Sequence, residues 1–149
     1  MSARIHVIAV LGLVMFLLAA CGNREKVDVM FECASPSAQK IATFYRVSTG
    51  DRAIDKEMKM NIRLASDSFN ASMDSFSFRH GYDAVIRWSS DTKMRIEYPL
   101  DSELTHQEMV VFGTTQTFSP DQQIQLLYQE KPSTHGYFML EKRCYNELK

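Results

Sequence analysis

Three histidines stand outside the N-terminal segment: His80, His106 and His135. Each lies near the end of a predicted strand, where loops would bring them together. Three imidazoles at one point would hold zinc, or would supply the base of a small hydrolase. No two of them have the i, i+4 spacing that places a ligand pair on one helix face, and exposed turn histidines account for them equally well. Ser37-Ala38-Gln39-Lys40 has the Ser-x-x-Lys pattern of a lysine-activated nucleophile, but no Ser-Asp-Asn or Lys-Thr-Gly partner accompanies it. The chain has no Gly-x-Ser-x-Gly elbow, no His-Glu-x-x-His and no phosphate-cradling glycine loop. Asp67, Asp74 and Asp83 lack the alternating spacing and central glycine of a calcium loop. The expectation is a protein that is not an enzyme, with no catalytic residue, no metal ligand and no cofactor.

The cysteines are more informative. Cys21, Cys33 and Cys144 are the only three. Cys21 closes an N-terminal segment with Arg4 near its start and an uncharged apolar run, Val7 to Ala20. That run has the length of a signal-peptide core and is short of the roughly 20 residues that cross a bilayer as a helix. Leu18-Ala19-Ala20-Cys21 resembles the lipobox of bacterial lipoproteins. The resemblance implies that residues 1–20 are a signal peptide, that the Cys21 thiol receives a diacylglycerol, and that the new amino terminus is acylated, with palmitate-type chains holding the protein on a membrane. Each buried lipid CH₂ contributes about 0.8 kcal/mol, so two or three chains make a stable anchor. Gly22 and Asn23 follow the cysteine, where an Asp would favour inner-membrane retention. The resemblance therefore favours the periplasmic face of the outer membrane.

With Cys21 lipidated, Cys33 and Cys144 remain, and an even pair in an exported protein is expected to be a disulfide. The whole chain has 17 Lys plus Arg against 18 Asp plus Glu, with no long block of either sign. Nucleic-acid binding by an electrostatic footprint is disfavoured. Residues 21–26 read as lipidated terminus and tether, and 27–149 as a single β-rich domain, which is enough chain for one real core.

The elements that must position these residues have a period of two. Met58, Met60, Ile62 and Leu64 alternate with Lys59, Asn61 and Arg63; Met94, Ile96 and Tyr98 alternate with Lys93, Arg95 and Glu97. These predict strands with one face on a core and one on water. Ala84, Ile86 and Trp88 form another. Lys40–Val47, Met109–Phe112 and Tyr137–Leu140 are apolar on both faces and predict central or doubly covered strands, with Val27–Phe31 a shorter candidate. Turn signals at 49–51, 89–91, 99–101 and 131–133 separate them. The pattern predicts a mainly β fold, an antiparallel sandwich or small barrel of about 7–9 strands with one short helix at most. Ser119-Pro120-Asp121-Gln122 has the form of a helix start, yet Ile124, Leu126 and Tyr128 fit a strand face, and the flanking β pattern favours strand. Ser66–Phe78 predicts a short helix or an ordered loop over one end of the core.

Cys33-Ala34-Ser35-Pro36, with Lys40–Tyr45, resembles the first strand of small uncharacterised β-rich envelope lipoproteins, with Ser37-Ala38 where those read Asp-Gly. An early cysteine joined to a late one in an anchored β-domain is also similar to the membrane-bound lysozyme inhibitors, whose Ser-Gly-x-x-Tyr-type loop is absent here. The leading expectation is a non-enzymatic binding or structural lipoprotein whose partner is an envelope protein or glycan. A periplasmic inhibitor of a cell-wall hydrolase and a small hydrolase using His80, His106 or His135 are the alternatives.

Overall fold

A computed structural model of the protein describes residues 25–112, 119, 121–133, 138 and 142–147. Ten strands run through them: β1 Lys26–Ala34, β2 Lys40–Ser48, β3 Lys56–Leu64, β4 Phe76–Arg79, β5 Val85–Ser90, β6 Lys93–Pro99, β7 Glu103–Gln107, β8 Val110–Val111, β9 Ile124–Lys131 and β10 Cys144–Asn146. They form two five-stranded sheets, ordered β1-β2-β3-β4-β7 and β10-β5-β6-β9-β8. The fold is thus mainly β and sandwich-like. The only helical piece among the described residues is a 3-10 turn at Ala53–Asp55.

Alternation builds the core. Ala42 and Phe44 of β2, Met58, Met60 and Ile62 of β3, and Phe76 and Phe78 of β4 face Ile86, Trp88, Met94, Ile96, Tyr98, Ile124 and Leu126. All belong to one buried cluster. Trp88 fills the centre, and its Nε1–H donates to the Cys33 carbonyl at 3.2 Å, so its one polar atom is satisfied.

The first sheet is antiparallel throughout. The second is mixed: β5/β6 and β8/β9 are antiparallel, whereas β6/β9 and β10/β5 are parallel. Both open sides of the sandwich are bridged. On one side the Cys33–Cys144 disulfide, with Cα atoms 5.4 Å apart, joins edge strand β1 to edge strand β10. On the other the chain passes directly from edge β7 to edge β8. There the Glu108 amide donates to Ser75 O at 3.0 Å, and the Leu126 amide to Met109 O at 2.9 Å.

Several expectations need correction. The strands β4, β7 and β10 were not expected as such: Phe76 and Phe78 read as part of a connection, β7 is exposed at every residue and shows no alternation, and β10 spans three residues. Cys144 opens the last described strand, β10. Met109–Phe112 is not a covered strand; β8 is a two-residue edge with Met109 and Val110 exposed. Val27 and Val29 are likewise exposed on edge β1. Residues 66–75 form turns without a helix and lie on the outer face of the first sheet, opposite the core, rather than over its end. Because of that cover, Asn61 is buried although its strand position faces outward. Glu97 is buried too, paired with Arg87 and Arg95. Segment 119–131 is strand β9 from Ile124 on, but the capping signal is real locally: the Gln122 amide donates to Ser119 O and the Ser119 amide to Gln122 Oε1. Of Tyr137–Leu140 only Phe138 lies within the described residues, and it is buried.

Candidate functional site

Strand direction sorts the loops into two ends. At one end stand the β1–β2 turn, the β5–β6 turn and the residues entering β9. Ala38 takes a left-handed backbone, φ 59°, and its amide closes a turn onto Ser35 O at 2.8 Å. Lys40 then enters β2 with its side chain folded inward, 3 % exposed. A buried ammonium is costly unless hydrogen-bonded. Here Nζ donates to Asp91 O at 2.6 Å and to Asp121 O at 3.3 Å. Loss of solvent pulls the Lys40 pKa below the usual lysine value, against the pull of the Asp91 and Asp121 carboxylates.

Asp91 ties this end together. Its carboxylate accepts the Ser37 amide at 3.0 Å and the Ser37 hydroxyl at 2.8 Å. The amide donation, followed by the hydroxyl contacts and the Lys40 charge, holds the carboxyl below the usual range despite its partial desolvation. Ser37 and Lys40 thus both address Asp91, and the described contacts do not join the serine hydroxyl to the lysine. The Ser-x-x-Lys residues form a structural clasp here, each bonded to Asp91. Around it lies a depression of about 430 Å³ lined by Lys40, Asp91, Asp121, Ser90, Thr92 and Gln122 among others. An ammonium has three donors, and two are directed at carbonyls. With the Asp91 and Asp121 carboxylates in the same lining as Lys40, the depression offers carboxylate, amide and hydroxyl groups, which suit a hydroxyl-rich ligand.

The other sequence candidates do not converge on it. His80, at φ 61°, has Nδ1 3.8 Å from Glu103, and His106 on β7 has Nε2 3.8 Å from Glu108. Each is exposed beside its own glutamate. His135 lies outside the described residues, as does Cys21. Asp74 pairs with Lys59 at 3.0 Å, Asp83 pairs with Arg143, and the Asp67 carbonyl accepts Arg63. Among the described residues no group of three His, Cys, Asp or Glu is arranged to hold a metal ion, and no helix is long and apolar enough to cross a membrane.

The outer face of the first sheet is structural. Tyr45 is fully buried there, its hydroxyl donating to Ala71 O at 2.9 Å and its ring edge-on to Phe69. Burial, reinforced by Asp74 and Glu57, pushes that phenol well above its ordinary pKa. Asn61 donates to Met73 O at 2.5 Å, and Arg63 bonds Glu32 and Thr43.

No protein-family model, no curated protein and no solved structure matches the chain. The Lys40 clasp was missed by sequence reasoning because Asp91 and Asp121 are 51 and 81 residues away from it. The only local signal is a lysine opening a run that is otherwise apolar on both faces.

Proposed function

We propose that this protein is a lipid-anchored lipoprotein of the bacterial cell envelope with a non-enzymatic binding or structural role, presenting the Lys40 end to its partner. The observation that carries this reading is polarity along the molecule. β1 begins at Lys26, five residues after the lipobox cysteine, and the Lys40 depression lies at the opposite end of the first sheet, next to the far end of β1. A domain held at Lys26 projects that depression away from the membrane, here assigned to the periplasmic face of the outer membrane. The Cys33–Cys144 bond supports an oxidising compartment. The partner's chemistry follows from the depression: an envelope protein or glycan offering hydroxyls to its carboxylate, amide and hydroxyl groups. Pull-down from envelope extracts with the full chain tests it. An envelope component retained by the native protein and lost with Lys40→Met is expected. Reproducible turnover of envelope substrates by the purified protein would count against it.

A second reading, inhibition of a cell-wall hydrolase, is favoured by one observation. The β1–β2 turn at residues 35–39 is tight and clasped to Asp91 through Ser37, so it is pre-organised to enter a cleft. Titration of lysozymes with the purified protein decides this. No inhibition at micromolar excess removes it.

A further inference from the structure

The opposite end of the sandwich carries exposed apolar tips. Ile54, in the β2–β3 connection, is 59 % exposed; Tyr82, between β4 and β5, is 51 % exposed; Leu100, between β6 and β7, is 53 % exposed. Single exposed apolar residues are ordinary. What matters is where these three lie. The pairings Lys26↔Ser48, Ser48↔Lys56 and Arg79↔Glu103 put the start of β1, the Ile54 connection and the β4 and β7 termini at one end. Tyr82 follows β4 and lines a cleft of about 280 Å³ with Pro99, Ser133 and Phe138. Leu100 follows β6, and its amide donates to Lys131 O at 3.0 Å in the same loop cluster.

The chain leads from this end to the lipobox cysteine. Glu25 lines a depression of about 410 Å³ together with Val47, Thr49 and Ile54, so the backbone leaves the domain beside Ile54. From Lys26 back to Cys21 an extended chain spans at most about 18 Å. A lipid on Cys21 therefore holds this end within that distance of the headgroups. We propose that the domain does not hang free on its tether: the Ile54–Tyr82–Leu100 end rests on the bilayer that receives the anchor, with those three side chains in the interface. This rests on the lipoprotein reading.

Basic groups around the tips are matched by acidic ones. Arg52 bonds Asp55, Lys26 bonds Asp28, Arg143 bonds Asp83, and His80 faces Glu103. The surface is consequently not a basic patch for anionic lipid, and apolar insertion is the source of the contact. Tyrosine suits the interface because its ring is apolar and its hydroxyl stays wet. Contact of this kind depends little on salt.

The test uses the full chain, processed in a lipoprotein-producing host and reconstituted in phosphatidylcholine vesicles with brominated acyl chains. Trp88 is fully buried and supplies a constant background. Ile54→Trp, Tyr82→Trp and Leu100→Trp are compared with Met109→Trp and Val110→Trp, which are exposed beside the start of β9 at the opposite end. The expected result is loss of tryptophan emission at 54, 82 and 100, unchanged by added salt, and none at 109 or 110. Protein that floats with the vesicles but shows no quenching, or equal quenching at all five positions, overturns the orientation and leaves the anchor standing. Protein that does not float with the vesicles overturns the anchor, and the orientation falls with it.

Discussion

Asp91 carries more of the Lys40 end than any other side chain. Its carboxyl is held below the usual range chiefly by the Ser37 amide, so folding favours the ionised form. Such a group adds stability above the unfolded carboxyl value of about 3.9, and that stability is lost as pH falls through the lower folded value. Asp91→Asn removes the titration. Urea unfolding between neutral pH and pH 3 is expected to show a shallower acid loss in Asp91→Asn than in the native protein; parallel curves would remove the clasp as an energetic unit. The disulfide is the second decisive contact at this scale. It closes a separation of 111 residues, and Cys33→Ser or Cys144→Ser is expected to cost about 2–5 kcal/mol. Denaturant unfolding followed by Trp88 emission, with and without reductant, measures it. The native protein under reductant should match the variants.

At the level of strands, the period-two pattern was legible because one face of each central strand meets the core. Ile62 and Ile96 are 4 % and 0 % exposed. Ile62→Lys and Ile96→Lys each force an unpaired charge into that core and are expected to cost more than about 3 kcal/mol. Lys93→Ala, on an exposed outward position, should stay within about 0.5 kcal/mol of the native protein. Lys59→Ala, although its strand position faces outward, is not expected to be neutral. Its ammonium pairs with Asp74 of the overlying 66–75 segment, and its loss should cost about 1 kcal/mol and raise hydrogen exchange in that segment. Thermal and denaturant unfolding of the four variants, with exchange across 66–75, separates these outcomes. The outward face of β3 shows why alternation is an incomplete guide. Its polar residues predict water, but Lys59, Asn61 and Arg63 bond to the loop that lies over them. A polar face covered by backbone carbonyls reads in sequence like a polar face covered by water.

For the molecule as a whole, the functional reading turns on the proposed membrane anchor. In a lipoprotein-processing host the native chain is expected to incorporate labelled fatty acid and Cys21→Ala to incorporate none; label persisting in that variant would remove the anchor. The residues 18–21 that carry this expectation are contiguous, so one chain of amino acids displays them completely. The β class was equally accessible, since strand alternation and turn residues act between near neighbours. Sheet order was not. The parallel β6/β9 and β10/β5 pairs join segments separated by long connections, and no local pattern states which strands will meet. The same holds for Lys40. Burial of its ammonium, and the carbonyls of Asp91 and Asp121 that make burial tolerable, exist only after two sheets close over one core. Side-chain type and short-range spacing belong to the sequence. The partner of a buried charge belongs to the fold, because desolvation and the groups that offset it are set by atoms distant along the chain.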